Sequence, residues 1–231
     1  MITFEPPNGE LPAYFATPEG DGPWPGVVIV HDAFGLTSDI RRIADRVAGA
    51  CYLAIVPALY RRGNRVACVV RTLKALQAGD GPAVADLTAA RDLLAADPRC
   101  TGKVGTIGFC TGGGFSLLLA PRGVFDAAAP NYGLWPPDRD ALEASCPTVA
   151  SYGAKDRRLA GAAAELTGIL ERGRVPHDVK EYAGVGHAFM NDWDAAAPLR
   201  FVAGIAGLSY SEPEAEDAWA RILAFFGEHL H

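Results

Sequence analysis

Val104–Phe115 reads VGTIGFCTGGGF, and its punctuation predicts a strand, a sharp turn and a helix in direct succession. An apolar run around Val104, Thr106 and Ile107 breaks at Gly108 and presents Cys110. It then meets Gly112, Gly113 and Gly114 before resuming as Phe115 to Ala120. A residue at the tip of such a turn is held in strained backbone geometry. Strand and helix close around it only if the positions two residues either side are small. Gly108 and Gly112 meet that need. The pattern is G-x-C-x-G, a nucleophile elbow carrying a thiol where a serine hydroxyl is commoner. Alone, so short a motif is matched equally by a buried cysteine beside a glycine-rich turn, so the flanking chain has to decide.

Upstream, Trp24 to Val30 runs into VVIV, a continuous β-branched stretch of the kind buried on both faces of a sheet, and stops at His31-Asp32-Ala33-Phe34-Gly35. Thr37 or Ser38 is placed to cap a helix over Asp39–Gly49, where Ile40, Ile43, Ala44 and Val47 recur at helical spacing. Tyr52–Pro57 predicts a further strand, followed by a basic, irregular segment from Tyr60 to Arg71. A helix over Pro82–Ala96 leads back to the elbow strand. Residues 1–25 are rich in Pro and Gly, and the alternation of Leu11, Ala13 and Phe15 predicts an edge hairpin. Downstream the rhythm continues with strands at Ala127–Tyr132, Pro147–Tyr152 and Val179–Tyr182 and helices at Ala160–Arg172 and Ala215–His229. Apolar strands alternating with amphipathic helices predict one α/β domain over residues 1–231, a mostly parallel sheet with helices on both faces.

Composition narrows the function. With 49% apolar and 21% charged residues in 231, the chain has the make-up of an ordinary globular protein with one good-sized core. A net charge of −6 and the lack of a long basic patch argue against nucleic acid as a partner. The start, MITFEPPNGELPAYF, has no basic stretch followed by an apolar core, and no apolar run approaches the length of a membrane span, so a cytoplasmic protein is expected. Five cysteines, Cys51, Cys68, Cys100, Cys110 and Cys146, are odd in number and lack any C-x-x-C pair, which predicts reduced thiols and neither a disulfide framework nor a zinc site.

In a parallel sheet the loops at the carboxyl ends of the strands gather at one edge, where ligands bind. Four such loops carry reactive residues: His31–Gly35, Cys110–Gly114, Gly153–Arg157 and Gly184–Phe189. Asp156 and His187 each fall just past a predicted strand. Singly, Asp156 reads as a turn residue and His187 equally as a structural histidine. Together with the elbow they give the order Cys110, Asp156, His187, that of an α/β-hydrolase triad. A thiol with a free pKa of about 8.5 is only partly ionised near neutrality, so an imidazole must take its proton and a carboxylate must fix the imidazole tautomer. The backbone N–H of Thr111, next to the nucleophile, and that of Ala33 in the HDAFGL loop are the expected oxyanion donors. Asp32, between that loop and the thiol, is expected to hold the thiol protonated; a turn or capping role is its alternative.

With these residues assembled, the sequence resembles the dienelactone hydrolase family of α/β-hydrolases. VVIVHDAFGL, AIVPALY, VADLTAARDLL, GKVGTIGFCTGGG, PTVASYGAKD, VGHAFMND and EDAWARILAFF fall in family order. The resemblance implies hydrolysis of the lactone ring of dienelactones to maleylacetate, in the breakdown of aromatic compounds, without a metal or organic cofactor. It implies Cys110 as nucleophile, Asp156 and His187 as triad partners, and amides of Ala33 and Thr111 as the oxyanion hole. The family's enzymes carry a glutamate that holds the resting thiol; here its place is taken by Asp32, one methylene shorter. Family arginines bind the substrate carboxylate, one a few residues after the triad histidine, where this chain has the uncharged Asn191. The other lies in a lid, which from Arg61 to Gly81 looks shortened here, with Arg62, Arg65 and Arg71 available. Phe34, Arg62, Arg71, Tyr132, Trp135 and Asn191 are therefore the expected substrate-binding residues, set against core packing for Tyr132 and a solvated face for the arginines. The reading is a hydrolase of a small-molecule ester or lactone, monomeric or a small homo-oligomer. A neutral ester or thioester hydrolase, or a redox-sensing or ligand-binding thiol protein on the same fold, are its rivals.

Overall fold

The computed structural model describes residues 1–193 and 209–231. Eight strands form one sheet in the order β1-β2-β4-β3-β5-β6-β7-β8. The strands are β1 (Ile2–Phe4), β2 (Leu11–Ala16), β3 (Trp24–Val30), β4 (Leu53–Pro57), β5 (Cys100–Phe109), β6 (Ala127–Asn131), β7 (Thr148–Gly153) and β8 (His177–Tyr182). β1 and β2 form the edge hairpin, and β2 runs antiparallel to β4. From β4 through β3 and β5 to β8 every neighbouring pair is parallel, so six strands end at the same edge. This is the α/β-hydrolase fold, with a mostly parallel sheet.

The helices are α1 (Ser38–Gly49), α2 (Arg65–Ala78), α3 (Pro82–Ala95), α4 (Thr111–Leu119), α5 (Ala162–Arg172) and α6 (Glu212–His229). β3 is buried along its whole length. Val27 and Ile29 meet Ile40, Ile43 and Val47 of α1 and Trp219, Ile222 and Phe226 of α6 in one apolar cluster. Val28 and Val30 point the other way, to Leu76 of α2, Leu87 and Leu94 of α3 and Phe115 of α4. This is the period-2 alternation of a strand read out on two helical layers. Each such Val, Ile or Leu side chain contributes about 1.5–3 kcal/mol by leaving water. The two-sided burial explains why VVIV carries no polar alternation. At the far edge β8 exposes Lys180 and Glu181, charges that discourage pairing with another chain's strand.

One sequence expectation fails. Residues 65–71 are not irregular but open the fourteen-residue helix α2. Asn64 caps it, its side-chain oxygen accepting from Ala67 N at 3.2 Å, and Gly79 ends it in the left-handed conformation at φ 72°. Val66 and Val70 are exposed on this helix, so the amphipathic pattern that marks α1 is missing. No described helix is long and apolar enough to cross a membrane.

Candidate active site

The elbow forms as the glycines require. Cys110 adopts φ 55°, ψ −113° between β5 and α4, outside the regions an L-residue favours. Such a backbone costs about 1–3 kcal/mol and persists only where its surroundings over-determine it. Here Cys110 N donates to Asn131 O at 3.1 Å, and Gly114 N donates to Cys110 O at 3.1 Å. A Cβ on Gly108 would lie 2.1 Å from Gly112 O, and one on Gly112 would lie 2.0 Å from Val30 O, so both positions exclude any side chain. Thr111 is the first residue of α4, and its amide belongs to the set that a helix start leaves without internal partners. Ala33 is exposed on the loop after β3.

Asp156 and His187 come together from the ends of β7 and β8. His187 Nδ1 lies 2.5 Å from Asp156 Oδ2, both side chains being almost fully buried. Asp156 Oδ1 accepts from Arg158 N at 3.2 Å. Burial works to raise the Asp156 pKa, but the His187 and Arg158 contacts outweigh it and leave it below the usual value. An ionised carboxylate only accepts, so Nδ1 carries hydrogen and Nε2 is the atom left for proton transfer. Burial lowers the imidazole's pKa, yet contact with Asp156 and Cys110 lifts it to about 9. Nε2 is buried and has no hydrogen-bond partner among the described residues.

Several other expected site residues sit elsewhere. Asp32 is buried, but its Oδ1 accepts from Phe34 N at 2.7 Å and its Oδ2 from Trp193 Nε1 at 3.0 Å. It makes no hydrogen bond to Cys110; the shorter side chain closes an Asx turn on its own loop instead of reaching the thiol. Arg62 is turned away from the sheet edge: it pairs with Asp86 Oδ2 at 2.5 Å and donates to the carbonyls of Gly9 and Glu10, tying the N-terminal hairpin to α3. Arg71 donates to Cys68 Sγ at 3.3 Å, on the same side as Arg62. Trp135 lies under the Arg139 guanidinium at 4.5 Å, and Arg139 pairs with Glu165. Tyr132 and Asn191 are buried beneath the triad and bonded to each other, Tyr132 OH to Asn191 Oδ1 at 2.6 Å. None of these six lines the groove that opens beside the HDAFGL loop.

That groove, of about 480 Å³, is lined by Phe34, Gly35, Leu36, Ala58, Tyr60, Arg61, Gly63 and Arg65. Phe34 is the expected residue that it does contain, half-exposed, with its ring 5.0 Å from that of Trp193. Arg65 Nη2 donates to Phe34 O at 2.8 Å. Tyr60, buried among the groove's lining residues, has its phenol pKa pushed up by burial first and then by Asp32 and Cys110. Arg61 and Trp193 had no signal that separated them from neighbouring polar loop residues. Arg65 stands in the sequence among the available lid arginines, but without the start of α2 nothing separates it there from Arg62 and Arg71. Among the described residues no group of three or more His, Cys, Asp or Glu side chains is arranged to hold a metal ion.

The sequence model of the dienelactone hydrolase family matches residues 11–230, nearly the whole chain. The chain belongs to the dienelactone hydrolase family. Among curated members, a protein of Escherichia coli strain K12 named "Putative carboxymethylenebutenolidase" is 30% identical over 99% of this chain and 86% of its own length. Among solved structures, the dienelactone hydrolase-like promiscuous phosphotriesterase P91, from metagenomic libraries, superposes with a TM-score of 0.79 at 26% identity, covering 96% of this chain and 94% of that one. The structure named m3DLH superposes at 0.82 with 26% identity over 100% of this chain and 97% of that one. Membership of this family makes the chain a hydrolase acting on an ester or lactone.

Proposed function

We propose that this hydrolase works through a Cys110-His187-Asp156 triad and a thioester acyl-enzyme. The observation that carries the reading is the buried 2.5 Å pairing of His187 Nδ1 with Asp156 beside a cysteine held at φ 55°. In the mechanism, the Cys110 proton passes to His187 Nε2, whose pKa, raised to about 9, holds it, and the resulting thiolate attacks the substrate carbonyl carbon. The amides of Ala33 and Thr111 hold the resulting oxyanion. The tetrahedral adduct collapses to a thioester as the carbon–oxygen bond breaks, and the imidazolium returns its proton to the leaving oxygen. Water then gives a proton to His187 as it attacks the thioester, and the acid leaves with Cys110 restored. Because Asp32 is engaged by Phe34 N and Trp193, the thiol is activated by His187 without a carboxylate holding it. Return of a thiolate competes with hydrolysis, which favours an activated leaving group such as an enol lactone over an alkyl ester.

Two guanidiniums beside Phe34 support a substrate with an anionic end, and Asn191 is buried where the family resemblance places a cation. The test is steady-state hydrolysis of cis- and trans-dienelactone beside p-nitrophenyl acetate, with intact-protein mass spectrometry of the quenched reaction. Lactone turnover with a mass increase on the Cys110 peptide is the expected result; turnover of the neutral ester alone would make the substrate neutral, and no adduct on any trapped sample would remove the thioester. Arg65→Ala is expected to raise KM for the lactones about ten- to hundredfold, the loss of one charge-assisted contact. KM for p-nitrophenyl acetate should stay within about twofold, as should both constants for Arg71→Ala.

A further inference from the structure

Beneath the triad runs a buried polar chain that the proposed chemistry does not use. Tyr132, at the end of β6 with φ 39°, places its ring edge-on to the His187 imidazole, the centroids 5.1 Å apart. Its hydroxyl donates to Asn191 Oδ1 at 2.6 Å, and Asn191 Nδ2 donates to Asp39 Oδ2 at 2.8 Å. Asp39 Oδ1 in turn accepts from Asp192 N at 3.3 Å and Arg42 Nη2 at 3.4 Å. Tyr132, Asn191 and Asp39 are 0%, 1% and 4% exposed.

Each link fixes the next. A carboxylate beside the amide requires the Asn191 NH₂ on its side, which turns the carbonyl oxygen toward Tyr132. That oxygen accepts the phenol hydrogen and sets where the ring lies. A single hydrogen bond from Nδ1 to Asp156 leaves the imidazole free to tilt about that bond, and the Tyr132 ring is the surface that limits the tilt. Asp39 is not needed as a cap, because Thr37 Oγ1 already accepts from Ile40 N at 3.3 Å. A buried carboxylate is costly where an apolar residue would pack as well, so its retention calls for a use.

We propose that Tyr132 and Asn191, locked in place by Asp39, are positioning residues that aim the His187 imidazole at Cys110. The inference rests on the triad reading and deepens it: the first helix of the fold, through Asp39, sets the geometry of proton transfer at the other end of the chain.

The test follows Cys110 alone, by peptide-resolved mass spectrometry of iodoacetamide labelling from pH 5 to 10, together with kcat and KM for p-nitrophenyl acetate. Tyr132→Phe removes one hydroxyl, keeps the ring and should fold; Asn191→Leu cuts both bonds. With the imidazole less well aimed, the thiolate loses its cationic partner. The midpoint of Cys110 labelling should therefore move up by about one pH unit, and kcat should fall about tenfold with KM within twofold. The double variant should do no more than the worse single one, because both act through one chain of contacts. Labelling profiles of Tyr132→Phe and wild type that coincide, with at most a lower melting temperature, would overturn the proposal and leave the network as packing. His187→Asn separates the two readings: if it leaves the wild-type profile unmoved, the triad reading fails and the inference with it.

Discussion

Cys110→Ala is expected to abolish hydrolysis of lactone and ester alike, lowering kcat by at least about 10⁴-fold, while the melting temperature stays within about 2 °C of wild type. The large effect follows from the division of labour proposed at the site. His187 and Asp156 prepare a nucleophile and the two amides stabilise what it forms, so without the sulfur the rest has no bond to make. The small effect on stability follows from the elbow itself. Alanine at 110 keeps the same Cβ and the same φ of 55°, so the strain is unchanged, and the half-buried sulfur's hydrogen bond to Thr111 Oγ1 is weak, at 3.9 Å. The assay is steady-state turnover beside a thermal melt of the same preparation. Turnover that survived in the alanine variant would sink the mechanism, because no other thiol lies at the elbow.

Gly112→Ala should do the reverse, damaging the fold before any chemistry is reached. The added methyl would stand 2.0 Å from Val30 O, 2.6 Å from Val30 C and 2.7 Å from His31 O. All three are backbone atoms of the central strand and its loop, so no flexible side chain can give way. The elbow helix would have to lift from β3, opening the contact of Phe115 with Val28 and Val30. A loss of about 3–5 kcal/mol, as for overpacking at the top of its range combined with lost burial, corresponds to a fall of about 10 °C in melting temperature for a chain of this size. Gly168→Ala supplies the contrast. It lies inside α5, where a methyl meets nothing nearer than Arg172 Nη1 at 3.9 Å, and alanine is the better helix former by about 1 kcal/mol, so it should melt slightly later than wild type. A normal melt for Gly112→Ala would mean that the elbow does not close as described.

The strands and the elbow were legible because their signals are local. VVIV reports burial on two faces, and G-x-C-x-G reports a turn that admits no side chain at either glycine. The pairing of Asp156 with His187 was legible through chain order, since residues just past parallel strands are carried to one edge by topology alone. Side-chain direction was not. Arg62 reads as a lid arginine available to substrate but turns to Asp86, because that carboxylate and two carbonyls of the N-terminal hairpin lie within its reach. Asn191 looked like a lost charge at a binding position and proves to be a link between Asp39 and Tyr132, residues 152 and 59 positions away. Asp32 looked like a shortened switch, and the partner that occupies it, Trp193, is 161 positions distant. Nothing in local periodicity records such partners. α2 was missed for a different reason: its exposed Val66 and Val70 erase the apolar stripe, and only the caps at Asn64 and Gly79 mark its ends.

The groove residues Arg61 and Arg65 come from one continuous piece of chain, the connection from β4 into the first turn of α2, whereas Cys110, Asp156 and His187 hang from three separate strand ends. On the proposed reading, the charges that select a substrate and the groups that react with it thus lie on different segments. A lineage, or an engineer, can exchange residues 60–78 as a cassette and retarget the enzyme to acyl groups of another charge, with the sheet edge that carries the chemistry inherited untouched.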